Sequence, residues 1–415
     1  MKRTPEGARI GGCPAGSRIV LLAAGKAAAP MARAARARLG PLLRRGLVVT
    51  APGCELPVPG LPVRLAGHPI PDARSEAAAD EARALLQGLE AGESLLVLLS
   101  GGASALLGAP VAGLTLEDVV RTTRALYGAG VDIEGLNTVR KHLCAAAGGR
   151  LARAAAGAPI HLLALSDVPG DRLDLLASGP FHPDSSTFAD ALAVIRGAGV
   201  ESEVGPAVLE ALEAGVRGER EETPGPGDPC FARLSARVLA GVGDALAAAE
   251  GAAREAGLEV LRLTGELRGE ARAVGERLAG LGLAVRRGPA PRLLTAGGET
   301  TVTVRGPGTG GRNQELALAA ALRLADREGV ELLAAGTDGI DGPTPAAGAW
   351  VDGTTVPRAR ALGLHPERAL EANDSHPLLA AVDALVVTGP TRTNVRDLVL
   401  VRVAPASGDR QREPW

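Results

Sequence analysis

Four short runs between residues 19 and 165 are almost purely apolar: Ile19–Ala23, Leu47–Thr50, Leu95–Leu99 and Ile160–Leu165. Helix-length stretches rich in Ala, Leu and Arg lie between and around them: Ala27–Leu39, Ser75–Leu89, Leu116–Ala129 and Gly148–Ala156. A strand that is apolar on both faces has to be covered on both. Such strands alternating with helices predict a doubly wound, mostly parallel α/β/α sheet. Ligands of that architecture bind beyond the carboxyl ends of the strands, and there the chain places its unusual residues.

A charged and then Pro/Gly-rich stretch without periodicity, RGEREETPGPGDPC at 217–230, reads as a boundary. The expected organisation is a first domain over 1–230, a second over 231–403 and a polar tail over 404–415. In the second, a long helix is expected at Ser235–Ala256, then a strand at Glu259–Leu263, a helix to about Leu278 and a β-rich segment from Leu293. Within that segment TTVTVR (300–305) alternates polar and apolar residues, which predicts a half-exposed strand in a mixed α/β sheet.

Composition narrows the function classes. Lysine occurs only at Lys2, Lys26 and Lys141, and asparagine only at Asn137, Asn313, Asn373 and Asn394, whereas arginine is abundant. Where Arg would serve, Arg is generally present, so an internal Lys marks a place where the two are not interchangeable. A formal net charge of −2 with six aromatic residues argues against a nucleic-acid groove. Cys13, Cys54, Cys144 and Cys230 are scattered, without CxxC, and read as reduced thiols of a cytoplasmic protein. Residues 94–116 carry no charge, but their glycines and hydroxyls predict strand, loop and helix start, with no membrane span.

Several loops carry chemistry-bearing residues, each with a plainer structural reading beside it. Gly25-Lys26 follows the first strand at a helix start, where an ammonium beside free N–H groups suits phosphate or carboxylate. Ser100-Gly101-Gly102-Ala103-Ser104 follows the third strand and could offer backbone and hydroxyl donors to an anion, though plain turns share this composition. NTVRKHL gathers Asn137, Arg140, Lys141 and His142, either as an anion contact or as an exposed helix turn. SDVPGDRLDLLASGP brings Asp167 and Asp171 to a strand end, suited to Mg²⁺, to orienting an alcohol, or simply to Asx turns. TAGGETTVTVRGPGTGGRNQEL holds Gly298, Glu299, Gly310 and Gly311 ahead of Arg312 and Asn313, and its Gly306, Gly308 and Gly311 formally match GxGxxG. Asp338 and Asp341 in AAGTDGIDG and Asn394 in VVTGPTRTNVRD close the set. No GxxxxGK[ST], HExxH or GxSxG occurs.

The ordered set GKAAAPMARA, GHPIPD, SGGASALL, NTVRKHL, SDVPGDRLDLLASGP, GGETTVTVRGPGTGGRNQE, GTDGIDGPTPAAGA and TGPTRTNVRDL resembles the glycerate 2-kinase family. That family carries a MOFRL-type C-terminal domain and an older label of hydroxypyruvate reductase. The likeness runs from about residue 18 to about 403. It implies an ATP- and Mg²⁺-dependent kinase converting D-glycerate to 2-phosphoglycerate in an interdomain cleft, with no nucleic-acid or membrane partner and an oligomeric state left between monomer and homodimer. It implies Lys26 and Arg312 as catalytic cations, with Asp167 or Asp171 orienting the hydroxyl. Ser100, Gly101, Gly102, Ser104, Asn137, Arg140 and Lys141 become substrate contacts. Gly298, Glu299, Gly310, Gly311, Asn313, Asp338 and Asn394 become cofactor contacts, with Asp167 and Asp338 as metal ligands. Cys144, Ala147 and Phe181 depart from the usual pattern. The alternative is an NAD(P)H-dependent hydroxypyruvate reductase using the GxGxxG match.

Overall fold

The computed structural model describes residues 18–155, 157–286 and 290–405, together with two short paired strands at Arg3–Thr4 and Gly7–Ala8. Lys2, Cys13 and the end of the tail lie outside the described residues. The chain divides into two compact units, residues 1–239 and 240–415.

The first unit runs β1 (Arg18–Ala24), α1 (Ala28–Leu39), β2 (Leu43–Thr50), β3 (Val63–Leu65), α2 (Ala73–Gln87), β4 (Glu93–Leu99), α3 (Ala103–Leu106), α4 (Leu116–Gly128), α5 (Ile133–Leu143), α6 (Arg150–Ala154), β5 (Ile160–Leu165), α7 (Phe188–Ala198), α8 (Glu201–Val204), α9 (Pro206–Val216) and β6 (Leu234–Ala240). The strands form one sheet in the order β3-β2-β1-β4-β5-β6. The β3–β2, β2–β1, β1–β4 and β4–β5 pairings are all parallel. Side chains alternate across the sheet as a doubly wound fold requires. Val20, Leu22, Val97 and Leu99 enter one core with α2 and α6, while Ile19, Leu21, Leu96 and Leu98 enter another under α1. Both faces are therefore buried, as the all-apolar strands predict. The uncharged stretch 94–116 divides into β4, a turn and α3, and among the described residues no helix is long and apolar enough to cross a membrane.

One expectation fails here. Residues 235–240 are not the start of a long helix but belong to β6, and the helix α10 (Val242–Glu255) begins after Gly241. The Asp244 carboxylate accepts from Gly241 N at 2.9 Å, closing the new N-terminus. Sheet-edge pairing overrides the helical propensity of the Ala/Leu-rich segment.

The second unit continues with β7 (Glu259–Arg262), α11 (Ala271–Val285), β8 (Arg292–Gly298), α12 (Arg312–Leu324), β9 (Val330–Gly336), β10 (Gly348–Asp352), α13 (Thr355–Ala361), α14 (Pro366–Glu371), α15 (Ser375–Ala381), β11 (Leu385–Val386) and β12 (Asp397–Val403). Its sheet has the order β11-β10-β9-β12-β8-β7. Only β7–β8 is parallel; the other four pairings are antiparallel. The sheet is mixed, as expected, but not through TTVTVR. That segment makes a single bridge, Thr301 to Glu270, and Val304 is 76% exposed. Thr301 N donates to Gly269 O at 2.9 Å, but beyond it the donors turn to side chains: Arg305 N and the following Gly306 N both donate to Asn373 Oδ1, at 2.6 and 3.1 Å. The mixed character comes from β12, which runs antiparallel between β9 and β8.

Candidate active site

In the first unit the strand order reverses between β1 and β4, the switch point where an open α/β sheet leaves a crevice. Gly25-Lys26 and Ser100–Gly102 leave the sheet at those two strand ends. Lys26 N donates to Gly101 O at 3.0 Å, Gly25 N to Val49 O at 3.1 Å, and Ser100 N to Ala24 O at 3.0 Å. The buried Ser100 hydroxyl accepts from Ala27 N at 3.0 Å. Ser100 thus holds the entry to α1 and ties the two loops together. Gly25 has φ +124°, and a Cβ there would lie 2.2 Å from Ser100 Oγ, so only glycine permits this approach. Gly102 is likewise left-handed, at φ +88°. A Cβ on it would meet the His68 ring at 2.9 Å and Lys26 Cγ at 3.6 Å. The half-buried Lys26 and His68 side chains therefore flank the Gly102 backbone. His68, in GHPIPD, was assigned no role from sequence.

The α5 cluster is mostly turned inward. Lys141 Nζ lies 3.1 Å from Asp184 Oδ1, with both side chains buried. Asp184 also accepts from Ser186 N, Ser186 Oγ and Thr223 Oγ1 at 3.0, 2.8 and 3.0 Å. Burial pushes the Asp184 carboxyl up, but Lys141 and the Ser186 bonds outweigh it and hold it below the usual range. Lys141→Ala should therefore destabilise the unit by about 3–5 kcal/mol at neutral pH, since a buried carboxylate loses its counter-ion. A carboxyl with a lowered folded-state pKa stabilises above its unfolded value and loses that contribution as pH falls through the folded one. The gap in melting temperature between wild type and Lys141→Ala should accordingly narrow from pH 7 toward pH 3, measured by thermal melts.

Asn137 is buried and bonded to Ile133 O and Ser178 Oγ. Arg140 stacks over the exposed Tyr127 ring at 5.7 Å. His142 Nδ1 and Nε2 lie 2.8 Å from Thr138 O and 3.2 Å from Glu222 Oε2. Asp167 is half-buried just beyond β5, whereas Asp171 is exposed at φ +54°. The same loop carries three successive left-handed residues, Ala177, Ser178 and Gly179. Phe181, a departure from the family pattern, is fully buried in the core.

In the second unit Arg312 opens α12. Its Nε and Nη2 fork onto Asp397 at 2.5 and 2.9 Å, and its Nη1 lies 2.7 Å from Glu299. The Asp397 side chain is buried, while that of Glu299 is 47% exposed. Desolvation, with Asp397 and Asp338 adding to it, pushes the Glu299 carboxyl above its ordinary range against the pull of Arg312. Asp397, which sequence reasoning missed, is the anchor of the fork.

The N-terminus of α12 is already filled. Asp341 Oδ1 accepts from Asn313 N at 3.1 Å, and Oδ2 from Gln314 N at 2.9 Å. A dinucleotide pyrophosphate at this GxGxxG match would need those amides. The glycines have a packing reason instead. A Cβ on Gly306 or Gly308 would lie 2.6 or 2.5 Å from Ala372 O, and one on Gly311 2.3 Å from Asp341 Cγ. Asn373, the one internal asparagine outside every motif, staples this loop through Arg305 N and Gly306 N while its Nδ2 donates to Glu315 Oε2 at 2.8 Å. Gly310 packs against Ser375, and Gly298 passes the Leu267 backbone. The Asp338 and Asn394 loops are joined: Thr391 N donates to Asp338 O at 3.0 Å and Thr337 N to Arg396 O at 3.0 Å, while Asn394 Oδ1 accepts from Arg396 N at 3.1 Å.

Among the described residues no three His, Cys, Asp or Glu side chains converge to hold a metal ion. Asp167 and Asp338 lie on different units. The Asp338 and Asp397 carboxylates both line Gly336: a Cβ there would meet their Oδ1 atoms at 3.0 and 3.4 Å. With both Asp397 oxygens gripped by Arg312, Asp338 is the carboxylate here that fits Mg²⁺, which binds through one or two carboxylates plus substrate phosphates and not a full protein cage.

Comparison with known proteins accords with these motifs. A model described as Domain of unknown function (DUF4147) matches residues 4–213, and the MOFRL family model matches residues 292–397. The D-glycerate 2-kinase of Thermotoga maritima is 42% identical, covering 92% of this chain and 90% of its own. A putative hydroxypyruvate reductase of Agrobacterium vitis is also 42% identical, over 92% of this chain and 86% of its own. The crystal structure of glycerate kinase from Thermotoga maritima aligns with a TM-score of 0.81 at 42% identity, covering 94% of this chain and 92% of that one. With both halves matched in order, the fold shared and the motif residues in place, the chain belongs to the glycerate 2-kinase family.

Proposed function

We propose that this protein is an ATP-dependent glycerate 2-kinase that phosphorylates D-glycerate on its 2-hydroxyl. The observation that carries the reading is Arg312, held by Asp397 in a two-pronged grip with its third nitrogen on the solvent-accessible Glu299. Phosphoryl transfer needs positioning and neutralisation of charge on the transferring oxygens more than covalent chemistry. A phosphate oxygen displacing Glu299 from Nη1 would leave the Asp397 grip intact, so Arg312 meets it already oriented.

In the first unit Lys26, with the Gly101 and Gly102 backbone, supplies positive potential at the switch point for the acid and for the transferring phosphoryl group. Asp167, half-buried beyond β5, is the better of the two aspartates to accept the 2-hydroxyl proton; Asp171 is exposed. In the second unit Glu299, Gly310, Asp338 and Asn394 are the nucleotide-side contacts, while Gly298, Gly311 and Asn313 act through the loop packing described above. Mg²⁺ carried with the ATP phosphates, with Asp338 as its protein ligand, would supply neutralisation of phosphate charge. Lys141 and Asn137 position their neighbours from inside the fold. Cys144 and Cys230 are free and buried, Cys54 is buried as well, and burial pushes the Cys144 thiol up to about 11. Inert reduced thiols support a cytoplasmic setting.

The reductase reading is weakened by the Asp341 carboxylate on the amides its dinucleotide would use. Parallel assays separate the two. ATP consumption dependent on D-glycerate, without NADH or NADPH oxidation by hydroxypyruvate, is expected; the reverse pattern would overturn the kinase reading.

A further inference from the structure

Three side chains of the first unit form a line of hydrogen bonds whose polarity is set at one end. Asn137 Nδ2 donates to the Ile133 carbonyl at 3.0 Å. A carbonyl only accepts, so the amide nitrogen has to face it, and Asn137 Oδ1 faces away. Ser178 Oγ lies 2.7 Å from that Oδ1, which also only accepts, so the single Ser178 proton is committed there. Ser104 Oγ lies 3.0 Å from Ser178 Oγ and has to be the donor of that bond. Ser104 therefore turns lone pairs, and no proton, away from the line. Asn137 and Ser178 are buried, whereas Ser104, just past the Gly101-Gly102 turn, remains partly open. Ser178 is held at φ +59° between Ala177 at +54° and Gly179 at +61°. A serine kept in the left-handed region is a strained choice that its neighbours maintain.

This corrects the expectation that Ser104 donates to an anion: its lone pairs would repel carboxylate or phosphate oxygens. We propose that Ser104 is an acceptor-only hydroxyl that selects a hydroxyl group on the substrate, the spectator 3-hydroxyl of glycerate, with Ser178 and Asn137 as positioning residues. The identity of the ligand rests on the kinase reading; the polarity does not. The 2-hydroxyl is the wrong partner, because its proton has to leave during transfer. The line ends in an amide that cannot take up a proton, so it cannot serve as a base.

The test is calorimetric binding of D-glycerate and of D-lactate, the same acid without the 3-hydroxyl, to wild type, Ser104→Ala and Ser178→Gly. Wild type should prefer D-glycerate by roughly tenfold or more, as expected for a hydroxyl received by a fixed partner. Both variants should lose most of that preference through weaker D-glycerate binding, with D-lactate binding unchanged within about twofold. Ser178→Gly relieves the left-handed backbone but leaves the buried Asn137 Oδ1 without its donor, so its melt should shift by only a few degrees, and binding is compared below the melting transition of every variant, which separates selectivity from folding. Equal loss for both acids, or an unchanged ratio in both variants, would overturn the proposal. Turnover of D-glycerate with ATP is recorded alongside. Its absence would overturn the kinase reading, while the binding ratio still decides the role of Ser104.

Discussion

Replacing Arg312 by lysine is expected to lower kcat by about three orders of magnitude, the lower range for an arginine that stabilises a transferring phosphoryl group. The melting temperature should change little. Lysine keeps a cation between Asp397 and Glu299, so the buried Asp397 carboxylate retains its partner. It cannot reproduce the fork in which Nε and Nη2 grip Asp397 while Nη1 points elsewhere. Arg312→Ala is a poorer test, because an unpaired buried carboxylate costs about 3–5 kcal/mol and confuses folding with catalysis. Steady-state kinetics with a parallel melt check the expectation. Turnover within tenfold of wild type in the folded lysine variant would remove Arg312 from the transfer step.

Lys26 should be nearly as sensitive, and here charge alone should not suffice. Lys26→Ala is expected to reduce kcat by roughly 10²- to 10³-fold, the range for removing one preorganised stabilising donor. Lys26→Arg should still lose more than about tenfold, because a planar guanidinium is not a compact ammonium. The structural reason is the narrow setting: the lysine stem passes the Gly102 backbone opposite the His68 ring. Lys26 N and Ala27 N are both fixed, by Gly101 O and Ser100 Oγ, so the backbone cannot shift to accommodate a broader head. Full activity in the arginine variant would mean that only the charge matters.

The first sheet was legible because its strands are apolar on both faces, and that pattern has few other solutions. Its strand order then placed Lys26 and Ser100–Ser104 together at the switch point. The scarcity of lysine pointed to two residues, and they proved to differ. Lys26 stands beside the loop, whereas Lys141 is buried against Asp184, a reason for retaining lysine that no local pattern reveals. TTVTVR alternates as a strand would, yet Thr303 N and Arg305 N are claimed by Glu270 and Asn373, and those partners come from elsewhere in the fold. Asp341 stood in a loop motif with no assigned role, and Asp397 closed another without a signal of its own. Their roles appear only once Asp341 sits on the α12 amides and β12 brings Asp397 to Arg312. In each case the partner was distant in sequence.

One measurement addresses the central claim most directly. The protein is supplied with ATP, Mg²⁺ and D-glycerate, with enolase present and phosphoglycerate mutase absent, and phosphoenolpyruvate is followed by its absorbance. Enolase acts on the 2-phosphate ester, so continuous formation of phosphoenolpyruvate, dependent on ATP and D-glycerate together, is the predicted result. ATP consumption without phosphoenolpyruvate, signalling transfer to the 3-hydroxyl, or no consumption at all, would contradict the account.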